Sequence, residues 1–156
     1  MSELIIRPAE EKDIPAIEEM EKICFASPWS YESLYHDIVE NHMALYLVAE
    51  LSEEGEKKVC GYAGVWNIVG EGHITNVAVS PEYRRRHIAS GILTVMEDVL
   101  AQEGVTSYTL EVRRGNEPAK ALYQRLGFQE AGIRKGYYDD NGEDAIIMWK
   151  KKQERK

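Results

Sequence analysis

The sequence predicts a mixed α/β (α+β) fold, a central sheet of about seven strands flanked by four helices in a single domain. Three observations carry that reading. Residues 44–51, 59–69 and 73–79 are rich in β-branched and aromatic side chains and are separated by polar turns at 52–58 and 70–72, the pattern of an antiparallel meander. Directly afterwards Ile88, Ile92, Leu93, Met96, Val99 and Leu100 recur at helical spacing on one face. Beyond that helix Tyr108, Leu110 and Val112 alternate with Thr109, Glu111 and Arg113, so a further strand follows.

The remaining elements fall into place around these. Residues 4–7 form a short strand that Pro8 stops. Asp13 is placed to cap a first helix with apolar positions Ile14, Ile17, Met20, Ile23 and Cys24. Ser30 caps a second helix carrying Leu34, Tyr35 and Ile38. The amphipathic helix begins after Pro81 and is ended by Gly104. Asn116 caps a short helix with Pro118 in its first turn. Residues 128–133 and 144–150 are the last two strands, joined by a long loop with the turn signal Asp140-Asn141-Gly142. No repeat, low-complexity tract or linker divides the chain, so residues 1–156 read as one unit.

Composition narrows the function classes. With 19 Lys+Arg against 27 Asp+Glu the formal charge is −8, which argues against direct nucleic-acid binding and suits a cationic partner. Cys24 and Cys60 stand far apart without CxxC spacing and read as reduced thiols. His36, His42, His73 and His87 form no ligand pair, so no metal is expected. No run approaches the roughly 18 apolar residues of a membrane span. The first residues lack a small-residue cleavage site, and a cytoplasmic protein with no membrane partner is expected.

The most informative stretch joins a strand to the long helix: Val77, Ala78, Val79, Ser80, Pro81, Glu82, Tyr83, Arg84, Arg85, Arg86, His87, Ile88, Ala89, Ser90. A helix N-terminus presents unpaired N–H groups and a partial positive charge, and three arginines at its entry add to both. Chemistry alone leaves two readings open, an anion site for phosphate or a solvated basic patch.

This segment resembles the signature of GNAT acetyltransferases, a Gln/Arg-x-x-Gly-x-Gly/Ala loop after the fourth strand that cradles the pyrophosphate of acetyl-CoA. Arg84 fits the first position and Ala89 the last. His87 stands where the family usually has its first glycine, and a non-glycine at a helix start is tolerable there if φ stays negative. The resemblance extends over nearly the whole chain, through Phe25-Ala26-Ser27-Pro28-Trp29-Ser30, Ile74-Thr75-Asn76-Val77-Ala78-Val79, Leu110-Glu111-Val112-Arg113, Asn116, Ala121-Leu122-Tyr123, Leu126-Gly127-Phe128 and Tyr137-Tyr138. Asn141-Gly142-Glu143-Asp144-Ala145 continues it. These segments recur in the branch of the family that acetylates the N-terminal alanine of a small-subunit ribosomal protein.

The resemblance implies a GNAT fold, with acetyl-CoA as cosubstrate and the N-terminal tail of a ribosomal protein as partner. It implies acetyl-CoA contacts by Val77, Ala78 and Val79, by Arg84, Arg85, Arg86, His87, Ile88, Ala89 and Ser90 in the loop, and by Asn116 and Tyr123. Glu111 is then the general base and Tyr123 the general acid for the leaving thiolate. Read without the family, Glu111 is a surface carboxylate paired with Arg113, Tyr123 fills a gap between Ala119 and Leu126, and Asn116 is only a helix cap.

Acidity favours an α-amine acceptor. Its pKa is about 7.7–8.0 against about 10.4 for lysine, so a weak carboxylate base suits it better, with burial or a bridging water helping. The acceptor is expected between residues 25–30 and the loop holding Tyr137 and Tyr138. The acidic run Asp139, Asp140, Glu143 and Asp144 is placed either to attract a basic tail or simply to be solvated. A GNAT acting on lysine or a small amine, and a non-catalytic acyl-CoA-binding or ribosome-binding module, are the alternatives.

Overall fold

The computed structural model describes residues 3–151. Its strands are β1 (Glu3–Pro8), β2 (Ala44–Glu53), β3 (Glu56–Ile68), β4 (Glu71–Val79), β5 (Ser107–Arg113), β6 (Gln129–Arg134) and β7 (Ala145–Lys151), and its helices α1 (Ile14–Cys24), α2 (Tyr31–Tyr35), α3 (Ile88–Gln102) and α4 (Glu117–Arg125). The seven strands form one sheet in the order β1-β2-β3-β4-β5-β7-β6. Every pairing is antiparallel except β4 with β5.

Strand alternation gives the sheet two apolar faces. Leu47, Ala49 and Leu51 point to the side where α3 lies, and α3 buries Ile88, Ile92, Leu93, Met96 and Leu100 there. Tyr46 and Val48 point to the other side, where Ile14, Ile17, Met20 and Leu34 from α1 and α2 cover them. Each such side chain contributes about 1.5–3 kcal/mol on burial. The five on α3 therefore anchor the loop at its N-terminus to the centre of the sheet.

The β4–β5 pairing is what positions the site. It runs only from Glu71 to His73 against Ser107 to Thr109. Beyond that, β4 continues to Val79 along β3 and β5 continues to Arg113 along β7. The two strands part, and a slot opens in the middle of the sheet with unpaired backbone on its edges.

Several expectations need correction. Asp13 does not cap α1 with its side chain; a short 3₁₀ turn over Glu11–Asp13 precedes the helix. The Asp13 carboxylate instead accepts the Glu10 N–H at 2.7 Å and both Arg7 guanidinium nitrogens at 2.8 Å. The turn expected at 52–58 shrinks to Glu54 and Gly55, both at positive φ (51° and 83°), because cross-strand pairing extends β2 and β3 into the polar residues. The long helix does not begin after Pro81: a 3₁₀ turn over Pro81–Tyr83 and an irregular stretch come first, and α3 starts at Ile88. Ser30 does cap α2, accepting the Ser33 N–H at 3.2 Å.

Candidate active site

The slot edges follow from backbone direction. Ser80 N–H donates to the Cys60 carbonyl at 2.8 Å, which turns the backbone of Ser80, and by alternation that of Ala78, toward β3. The backbones of Val77 and Val79 therefore face the slot. The Val79 carbonyl accepts Arg84 Nε at 3.2 Å and the Cys24 thiol at 3.7 Å.

Two cavities meet here. One, of about 850 Å³, lies on the α3 side and is lined by Val77, Ala78, Val79, Arg84, Arg85, His87, Ile88, Ala89 and Ser90 among others. The second, of about 430 Å³, lies between residues 25–29, Glu111 on β5, and Tyr137 to Asp140. They share Cys24, Phe25, Val77, Asn116, Ala119 and Tyr123.

The loop into α3 has the conformation of a glycine loop without the glycines. Arg85 and His87 stand at φ 66° and 60°. The condition on which a non-glycine is tolerable at His87, a negative φ, is therefore not met. Left-handed backbone costs an ordinary residue about 1–2 kcal/mol, and α3 burial holds it there. The first-turn N–H groups of Ile88, Ala89 and Ser90 have no intrahelical acceptor and stand on the wall of the larger cavity. Arg84 and Arg85 line that cavity, whereas Arg86 lies over the Tyr83 ring, 5.3 Å from its centroid, outside the lining.

Glu111 projects from β5 into the smaller cavity with its side chain 12% exposed. It does not pair with Arg113. His73 Nε2 lies 2.9 Å from Oε2 and Arg134 Nε 3.5 Å from Oε1. The His73 hydrogen bond holds the Glu111 carboxyl below the usual range against the opposing effect of burial. The same bond raises His73, again against burial. Of the two aids expected for Glu111 as a base, burial or a bridging water, burial is outweighed by its neighbours.

Arg113 instead lies over the Tyr138 ring at 4.0 Å and binds Asp140 (3.0 Å) and Glu143 (3.3 Å), while Arg114 binds Asp144 (3.2 Å). Most of the acidic run is therefore engaged in ion pairs at the surface, not free. It ties the β6–β7 loop down over the slot, helped by Gly115 N–H donating to Glu143 at 2.8 Å. Asp139 lines the smaller cavity.

Tyr123 is buried, packs edge-to-face on Phe128 at 5.9 Å and borders both cavities. Burial pushes its phenol well above the ordinary value, which keeps it protonated and makes it a weaker acid than a free tyrosine. Asn116 fits both readings, since its Oδ1 caps α4 through the Ala119 N–H at 3.2 Å and the residue borders both cavities.

Sequence reasoning missed two residues at the site. His73 meets Glu111 only because β4 and β5 pair at their starts, across the α3 crossover. Glu21 is fully buried beneath the smaller cavity. Its signal was readable: a charged residue on the apolar face defined by Ile14, Ile17 and Cys24.

Comparison with known proteins decides the family. Residues 14–128 match the model of the Acetyltransferase (GNAT) family. The chain belongs to that family. The acetyltransferase is 37% identical over 145 residues to the [ribosomal protein bS18]-alanine N-acetyltransferase of Escherichia coli K12, covering 92% of this chain and 94% of the relative. A Bacillus subtilis relative assigned provisionally to the same activity is 40% identical over 144 residues, covering 92% and 93%. The crystal structure of the E. coli ribosomal-protein-S18-alanine N-acetyltransferase superposes with a TM-score of 0.84 at 33% identity, covering 99% of this chain and 97% of that one. Among the described residues no helix is long and apolar enough to cross a membrane.

Proposed function

We propose that this acetyltransferase moves the acetyl group of acetyl-CoA to the α-amine of the N-terminal alanine of a small-subunit ribosomal protein in the cytoplasm. The observation that carries the reading is that Tyr123 and Val77 border both cavities, with Glu111 on the wall of the smaller and Val79 on the wall of the larger. The names of the E. coli and B. subtilis relatives supply the substrate class.

The residues suit a nucleotide thioester. Free N–H groups at the start of α3, with Arg84 and Arg85 beside them, fit a pyrophosphate, and the larger cavity leads from them to the slot. When bound, acetyl-CoA supplies an activated acyl group. The slot-facing N–H groups of Val77 and Val79 are placed to bind a carbonyl oxygen whose charge grows during transfer. Tyr123, kept protonated by burial, is the proton donor on the side where the cavities join. Glu111, held ionised by His73 and Arg134, orients the incoming amine and accepts its proton directly or through water.

A carboxylate held low is a weak base, and that supports an α-amine acceptor. At neutral pH roughly 10% of an α-amine is already unprotonated, against less than about 0.1% of a lysine. The formal charge of −8 and Asp139 in the acceptor cavity favour a basic tail.

The test is CoA-thiol release with acetyl-CoA and peptides that differ at the first residue. Turnover is expected with a free N-terminal alanine and little when that amine is blocked. Equal turnover on a blocked, lysine-containing peptide would transfer the reading to a lysine or small-amine enzyme, and acetyl-CoA binding without turnover on any amine would make it a binding module.

A further inference from the structure

Glu21 holds both ends of the loop that walls the acceptor cavity. Its backbone carbonyl accepts the Phe25 N–H at 2.9 Å, ending α1. Its side-chain Oε1 accepts the Trp29 N–H at 2.8 Å, eight residues along. Residues 25–29 are thus hung between two bonds to one residue, and Phe25, Ala26, Ser27 and Trp29 all face the acceptor cavity.

The other carboxylate oxygen turns to the sheet. It accepts the Tyr62 hydroxyl in a close hydrogen bond and Asn76 Nδ2 at 3.5 Å. Asn76 sits on β4 between Thr75 and Val77, on the slot edge. From there the chain of polar contacts passes through the Tyr46 hydroxyl, 3.4 Å from Asn76 Oδ1 and 2.8 Å from Asp37 Oδ2. Among the described residues no cation lies within ion-pair distance of Glu21. A fully buried carboxylate met only by neutral donors is costly unless every donor is kept in place.

We propose that Glu21 is a positioning residue for the acceptor: by clamping the Trp29 N–H against the β4 edge it fixes the width of the acceptor cavity, and so the discrimination among first residues. This rests on the reading that the amine enters by that cavity. Glu21 touches neither the slot backbone of Val79 nor the α3 loop, and of residues 25–29 only Phe25 borders the larger cavity, so the effect is expected on the acceptor side.

Three variants and one exchange measurement test it. Glu21→Met keeps the volume and removes the acceptors. It is expected to raise KM for an alanine peptide about tenfold, the effect of losing one charge-assisted hydrogen bond. It should also narrow the preference for alanine over larger first residues, with KM for acetyl-CoA unchanged. Glu21→Gln can keep a carbonyl on Trp29 while turning its amide to the Tyr62 oxygen, and should restore both values. Tyr62→Phe loosens the same carboxylate from the core side and should lower Tm while leaving the preference intact. An unaltered KM and preference in Glu21→Met, or an equal loss of preference in Tyr62→Phe, would overturn the proposal.

Amide exchange of Trp29 in the wild-type protein needs no variant to fold. Protection comparable to that of α1 is expected, and exchange as fast as an exposed loop would overturn the clamp. If the wild-type enzyme acetylates no α-amine, the functional reading fails, while the Trp29 exchange still decides the clamp.

Discussion

Glu21 and Glu111 both line the smaller cavity, and their surroundings differ in kind. Glu111 has two basic partners, His73 and Arg134, and its carboxyl is held low. Glu21 has only neutral donors, and burial raises its carboxyl. The contrast teaches that burial alone does not make a catalytic base. The more buried carboxylate bonds the Trp29 N–H of a loop, while the one proposed as the base is held ionised by His73 and Arg134. Such a site leaves the acceptor to supply most of its own nucleophilicity, as an α-amine does and a lysine does not.

The largest expected break in that contrast is Glu111→Gln. Loss of a positioned proton acceptor should lower kcat by about 10²–10⁴-fold, with acetyl-CoA affinity retained by calorimetry. A wild-type kcat would reduce Glu111 to an ion-pair partner. Tyr123→Phe comes next: a fall in kcat of at least about tenfold is expected at unchanged acetyl-CoA KM. A wild-type rate would leave Tyr123 as packing against Phe128.

Much of the fold was readable because its periodicities are clean. The α3 stripe and the meander gave both apolar faces of the sheet, and Ser30 and Asn116 gave their helix caps. What escaped depended on tertiary pairing. The sequence around Glu111 offered Arg113 as its partner, because the two share a strand face. In the fold Arg113 is drawn away by Asp140, Glu143 and the Tyr138 ring, and Glu111 receives His73 from a strand 38 positions earlier. The positive φ of His87 was hidden for a different reason: only the docking of α3 onto the sheet holds the backbone there.

Two smaller effects sharpen the comparison. His73→Asn tests the charge around Glu111 through stability. The histidine is raised, so its contribution is full below its ordinary 6.5 and is lost as pH climbs through the folded value. The glutamate is lowered, so its contribution is full above its ordinary 4.5 and is lost as pH falls through the folded value. The deficit of His73→Asn in urea unfolding should therefore peak between those values, at about 1 kcal/mol for a partly exposed charged pair, and shrink toward pH 9. A pH-independent deficit would mean that packing on Trp66, not charge, is what the substitution removes. At the other cavity, His87→Val should be less stable than His87→Gly by about 1–2 kcal/mol, because a β-branched residue tolerates the left-handed region worst. Equal stability would remove the strain.

The central claim is that the acetyl group goes to an α-nitrogen. One peptide carrying both a free N-terminal alanine and an internal lysine puts the two amines in direct competition. After incubation with the wild-type enzyme and acetyl-CoA, fragmentation mass spectrometry locates the acetyl group. Acetylation of the alanine nitrogen with the lysine untouched is expected; acetyl on the lysine with a free N-terminus would overturn the α-amine reading.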